Sequence, residues 1–124
     1  MRAADAAEKA SAHIDHLLSP YKAPLLVLME ETTEIELRWH LAQMVPRLNL
    51  TSRHRQRVLS VMQSYLSDPS SIVRTFAIEA QADLVERDDW LRPAVVYTLR
   101  RARKTGTSTM RARARKLLTK LETA

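Results

Sequence analysis

Arg38, Trp39 and His40 stand side by side in ELRWHLAQMVPRL, residues 36 to 48. The trio supplies a cation, an aromatic face and an imidazole that exchanges protons near neutral pH, as an anion-binding or acid–base site would. Other groupings are sparser. His13 and His16 lie three apart, with Asp15 as a weak third ligand, but no further Asp, Glu or His completes the set, so no metal is expected. The chain has no cysteine, which removes disulfides, zinc–thiolate sites and thiol nucleophiles. Gly106 is the single glycine, leaving no material for a phosphate-binding glycine loop. No Ser/His/Asp combination falls in a recognisable motif. These observations lead us to expect no enzyme, no catalytic residue and no cofactor.

The elements that must position the trio are helical. With 45% hydrophobic residues, one glycine and five prolines, the composition favours helices in a globule, and 124 residues suffice for one domain with its own core. The longest apolar run, Leu25 to Met29, is far below the ~20 residues of a membrane span. Acidic Asp5 and Glu8 and the absence of a hydrophobic block argue against a signal peptide, so a cytoplasmic protein without membrane contact is expected. Charge is uneven. Residues 1 to 50 carry five Lys/Arg against seven Asp/Glu, net −2; residues 51 to 124 carry fifteen against seven, net +8.

An internal repeat organises the chain. LRWHLAQMVPRL from Leu37, VRTFAIEAQADL from Val73 and MRARARKLLTKL from Met110 are spaced by 36 and 37 residues. Each opens with an apolar residue and an arginine, at Arg38, Arg74 and Arg111, and closes on Leu48, Leu84 and Leu121. Leu41, Ala77 and Ala114, then Met44, Ala80 and Leu117, occupy the slots between, on one helical face. Upstream of each lies another apolar helical pattern, APLLVLMEE, RVLSVMQSYL and PAVVYTLRRA, joined by a polar turn. Each unit is therefore expected to be a helical hairpin. Thr33 and Glu36 have capping-box spacing, Pro93 falls in an opening turn, and Pro46 falls in the last turn of its helix.

SDPSSIVRTFAIEAQADL resembles the HEAT-repeat family, whose units are antiparallel helix pairs with a D-P turn before a V-R opening on the second helix. The first and third units match more loosely and lack the D-P turn. The resemblance, covering roughly residues 22 to 122, implies an all-α fold, a short right-handed α-solenoid of the armadillo-type class. The expected single domain, 1 to 124, holds hairpins at about 22–49, 51–87 and 89–122 and an alanine-rich capping helix at about 2–18.

The resemblance also orders the candidate residues. The repetition of Arg38, Arg74 and Arg111 marks them as structural, each pairing with acids or carbonyls of a neighbouring unit. His40 is replaced by Phe76 and Arg113 in the equivalent slots, which points to packing. Trp39 lies almost opposite the core of its helix and would project into the concave surface with Gln43, Glu79 and Lys116, forming a protein-binding face. The expected function is a non-catalytic scaffold or adaptor for a protein partner. The alternative is a nucleic-acid-binding accessory protein contacting phosphates through Arg53, Arg55 and Arg57 and through Arg100, Arg101, Arg103 and Lys104.

Overall fold

The computed structural model describes residues 20–123; the expected capping helix at 2–18, with His13 and His16, lies outside them. Among the described residues the chain is all-helical: α1 (Lys22–Glu31), α2 (Ile35–Met44), α3 (Ser52–Ser64), α4 (Ser71–Arg87), α5 (Arg92–Thr105) and α6 (Ser108–Thr123). Short 3-10 turns at Val45–Arg47, Tyr65–Ser67 and Asp89–Leu91 punctuate them. No strand is present among these residues.

Hydroxyl side chains set three helix starts. Thr51 Oγ1 accepts from the His54 N–H at 3.1 Å before α3, Ser70 Oγ from the Val73 N–H at 3.4 Å before α4, and Thr107 Oγ1 from the Met110 N–H at 3.3 Å before α6. Each cap satisfies an amide that the helix itself leaves open, worth ~1 kcal/mol. The start of α2 differs from the expected capping box. Its N-cap is Glu34 with no side-chain cap bond, because the local turn is closed instead by the Glu34 N–H donating to Thr32 Oγ1 at 3.2 Å. Pro46 has no N–H to continue the ladder, so α2 ends at Met44 and the chain tightens into a 3-10 turn. Pro93 occupies the first turn of α5, where a missing N–H is harmless.

Bonds between helix ends fix the pairing. Lys22 Nζ, at the start of α1, donates to Asn49 O beyond α2 at 2.7 Å. Ser52 Oγ and Arg55 Nε, at the start of α3, reach Asp88 Oδ2 beyond α4 at 3.1 and 3.3 Å. Arg92, opening α5, donates to Leu121 O near the end of α6. Each consecutive pair is thus antiparallel. The second members lie side by side, with α4 packed on both α2 and α6. Ser71 Oγ lies 2.9 Å from Thr107 Oγ1 at one end of α4 and α6, and Glu86 pairs with Lys120 at the other, so these two helices run parallel.

One hydrophobic cluster runs through all six helices, from Leu26 to Leu121. Helix α4 is its middle member, with Ala77, Ala80 and Ala82 letting neighbours approach closely and Ile78 and Leu84 filling the space between. Gln81 breaks this pattern. It is fully buried, in the slot that Val45 and Leu118 fill in the flanking units, and neither Nε2 nor Oε1 has a partner among the described residues. A buried amide without hydrogen bonds costs about 1–3 kcal/mol. Gln81→Met keeps the side-chain length and removes both polar atoms, so its unfolding free energy should exceed the wild type's by that order, with a higher urea midpoint. An equal or lower midpoint would show that the amide is satisfied in solution.

Candidate functional site

Arg38 and Arg74 reach across the junctions between units. Arg38 Nη1 donates to Asp68 Oδ2 at 2.7 Å and Nε to Thr32 O at 2.9 Å, while its guanidinium lies 4.7 Å from the Tyr65 ring centroid. Arg74 Nη1 donates to Asp68 O at 2.7 Å and Pro69 O at 3.0 Å, and Nε approaches Met110 Sδ at 3.5 Å. Arg111, in the third unit, departs from the expected pairing with a neighbouring unit: among the described residues it meets Ser108 Oγ at 3.5 Å in its own helix. Tyr65 adds a tie between units by donating its buried hydroxyl to Met29 O, and burial pushes its pKa up to about 12. These groups are committed to the fold rather than to a ligand.

Trp39 and His40 part company within one turn. His40 is buried, its ring stacked on Trp39 with centroids 3.8 Å apart, and Nδ1 has no partner among the described residues. Trp39 is not fully outward, as a wheel of α2 alone suggests; it is partly buried and stacks on Phe76 of α4 at 5.2 Å and 19°. One turn earlier on each helix stand Ile35 and Ile72, which are 50% and 49% exposed. The four side chains form an apolar strip across α2 and α4. Trp90 is 81% exposed, but it stands apart on the Asp89–Leu91 turn.

Below the strip the same face becomes charged. Gln43, Arg47, Phe76, Glu79, Asp83 and Arg113 line a groove of about 280 Å³ across α2, α4 and α6. Arg113 Nη1 donates to Glu79 Oε2 at 2.7 Å across its mouth. Burial, then the neighbouring Glu79 and Glu86 carboxylates, push the Asp83 carboxyl up to about 6, opposed by Arg47 and Lys120. Of the expected contact residues, Gln43 and Glu79 share this groove, Trp39 borders it through Phe76, and Lys116 lies beyond Arg113 in a shallow depression with Ser108 and Ala112. Among the described residues no cluster could hold a metal ion, and no helix is long and apolar enough to cross a membrane. No family model, curated protein or solved structure matches the chain.

The basic clusters separate into partnered and unpartnered groups. Arg55 is held by Asp88 and by Leu50 O at 2.6 Å, and Arg57 grips Glu30 with two donors, which holds that exposed carboxyl below its usual range. Arg100 reaches Glu122 at 3.3 Å. Arg53, Arg101, Arg103, Lys104, Arg115 and Lys116 have no carboxylate partner among the described residues. Arg53 opens α3 while Arg101 to Lys104 end α5, at opposite edges separated by ~20 Å of helix. They form no continuous track.

Ile35, Ile72, Arg47 and Asp83 join the face without having stood out in the sequence. The signal was available for the isoleucines, which precede Trp39 and Phe76 by one helical turn. Asp83 supplies a measurable consequence. Its folded value lies above the ordinary 3.8, so the native state keeps its proton to higher pH, and stability falls as pH rises from 3.8 to about 6. Asp83→Asn should therefore raise stability at pH 7.5 by about 1–2 kcal/mol, discounted for solvent access. That difference should close near pH 4 in thermal unfolding. A variant less stable than wild type at pH 7.5 would show that the carboxylate is net favourable.

Proposed function

We propose that the chain is a short right-handed α-solenoid of HEAT type, three hairpins with an N-terminal capping helix, that serves as a non-catalytic scaffold for a protein partner. The close lateral packing of α2, α4 and α6, against the wider separation of α3 from α5, supports a stack that curves toward its second helices. Their exposed face is then concave. The observation that carries the reading is the Trp39–Phe76 stack, flanked by half-exposed Ile35 and Ile72 and bordered by the Glu79–Asp83–Arg113 groove. An aromatic anchor inside an apolar strip with a charged rim is the composition of a contact hot spot. Gln43, Glu79 and Lys116 supply polar contacts around it.

The phosphate-binding alternative draws less support, since Arg55 and Arg57 are already turned onto Asp88 and Glu30. A partner retrieved on the immobilised protein, then purified and titrated, tests the proposal. Trp39→Ala should weaken binding by ~30-fold or more, equivalent to a hot spot of ~2 kcal/mol, and Ile72→Asp should do likewise. Trp90→Ala, which removes a more exposed but isolated ring, should leave binding unchanged. Binding indifferent to Trp39→Ala, or lost steeply with added salt as phosphate contacts are, contradicts the proposal.

A further inference from the structure

A second and larger depression lies on the opposite layer, between α3 with its 3-10 turn and α5. Its volume is about 830 Å³, and Leu66, Ala94, Tyr97, Arg101 and Met110 are among the residues lining it. Tyr97 is 64% exposed on one wall, and Leu66 is partly buried on the other. The floor is closely packed where α5 turns into α6. A Cβ at Gly106 would come within 2.7 Å of Ala102 O and 2.8 Å of Met110 Cβ, so only glycine lets the two helices close there.

Charge in this groove is one-sided. Asp68 is its only acid, and both carboxylate oxygens are taken, Oδ1 by the Ser70 N–H at 2.7 Å and Oδ2 by Arg38. Arg101 has no carboxylate partner among the described residues, and Arg74 meets only carbonyls and the Met110 sulfur. An occupant must bring apolar side chains for Tyr97 and Leu66 and carboxylates for Arg101, since Arg74 is already engaged by the fold. It must also satisfy its own backbone, because helical walls offer no sheet edge to pair with. The stretch of α5 from Ala94 to Thr105 is ~16 Å long, about three helical turns.

We infer that the α3–α5 groove docks an acidic amphipathic helix of a protein partner, giving the molecule a contact site separate from the α2–α4–α6 face. Tyr97 is the apolar anchor, and Arg101 receives the carboxylates.

Three labelled 18-residue peptides probe this on the full chain: a Leu/Glu amphipathic helix, the same helix with Lys for Glu, and a scramble of the Leu/Glu peptide that keeps charge but loses the apolar face. The Leu/Glu helix should bind at least tenfold tighter than either control, with amide shifts centred on Tyr97, Arg101 and Thr105. Tyr97→Ala and Arg101→Glu should each weaken it at least tenfold while circular dichroism stays unchanged, as expected for exposed side chains. Trp39→Ala should leave it unaffected, which separates this site from the other face. Equal binding of the scramble, shifts centred elsewhere, or no binding of the Leu/Glu helix at millimolar concentration would each overturn the inference.

Discussion

Asp68 is the group on which the arrangement of the units depends. Its side chain is 4% exposed, a burial that a carboxylate tolerates only when its oxygens are occupied. One oxygen takes the Ser70 amide at the start of α4, the other takes Arg38 from the preceding unit, and its backbone carbonyl takes Arg74, which itself reaches Met110 in the next. A single residue in the DPS turn thereby couples three consecutive units. The coupling fixes how α2 lies along α4, and with it the meeting of Trp39 and Phe76. The apolar strip is a product of that register, since it is the Trp39–Phe76 stack that joins α2 to α4 there.

The middle unit carries features that stability alone would not select. Gln81 occupies an apolar slot without partners, and Asp83 holds its charge beside Glu79 and Glu86 in a partly enclosed groove. Both lie on α4, the helix touched from both sides. The excess positive charge behaves in two ways. Arg113, Lys120 and Arg100 pair with Glu79, Glu86 and Glu122, whereas Arg101, in the α3–α5 groove, has no carboxylate partner among the described residues. The basic half of the chain therefore serves in part as internal bracing.

The helices were legible in the sequence, because a helical apolar period is a one-dimensional signal; the arginine every 36 or 37 residues located Arg38, Arg74 and Arg111 but not their partners, since Arg111 reaches no neighbouring unit among the described residues. The state of Trp39 was not. A wheel drawn for α2 shows only its own axis, and the sector actually covered is widened by Phe76 from a helix 37 residues away. Arg55 and Arg57 looked unopposed for the same reason, as their acids lie 33 residues later at Asp88 and 27 residues earlier at Glu30. Thr33 and Glu36 had the right spacing for a cap, yet Thr32 closed the turn first. Grooves were beyond the sequence altogether, since they arise from the separation of α3 and α5 rather than from any residue pattern.

The register imposed by the buried Arg38–Asp68 pair is most directly tested by a double-mutant cycle. Arg38→Met and Asp68→Asn, alone and together, would be compared by urea unfolding with the exposed pair Arg100→Met and Glu122→Gln. The buried pair should show a coupling of about 1–3 kcal/mol, the exposed pair well under ~1 kcal/mol. A coupling at Arg38–Asp68 indistinguishable from zero, or no larger than that of the exposed pair, would contradict the view that this junction sets the packing of the units.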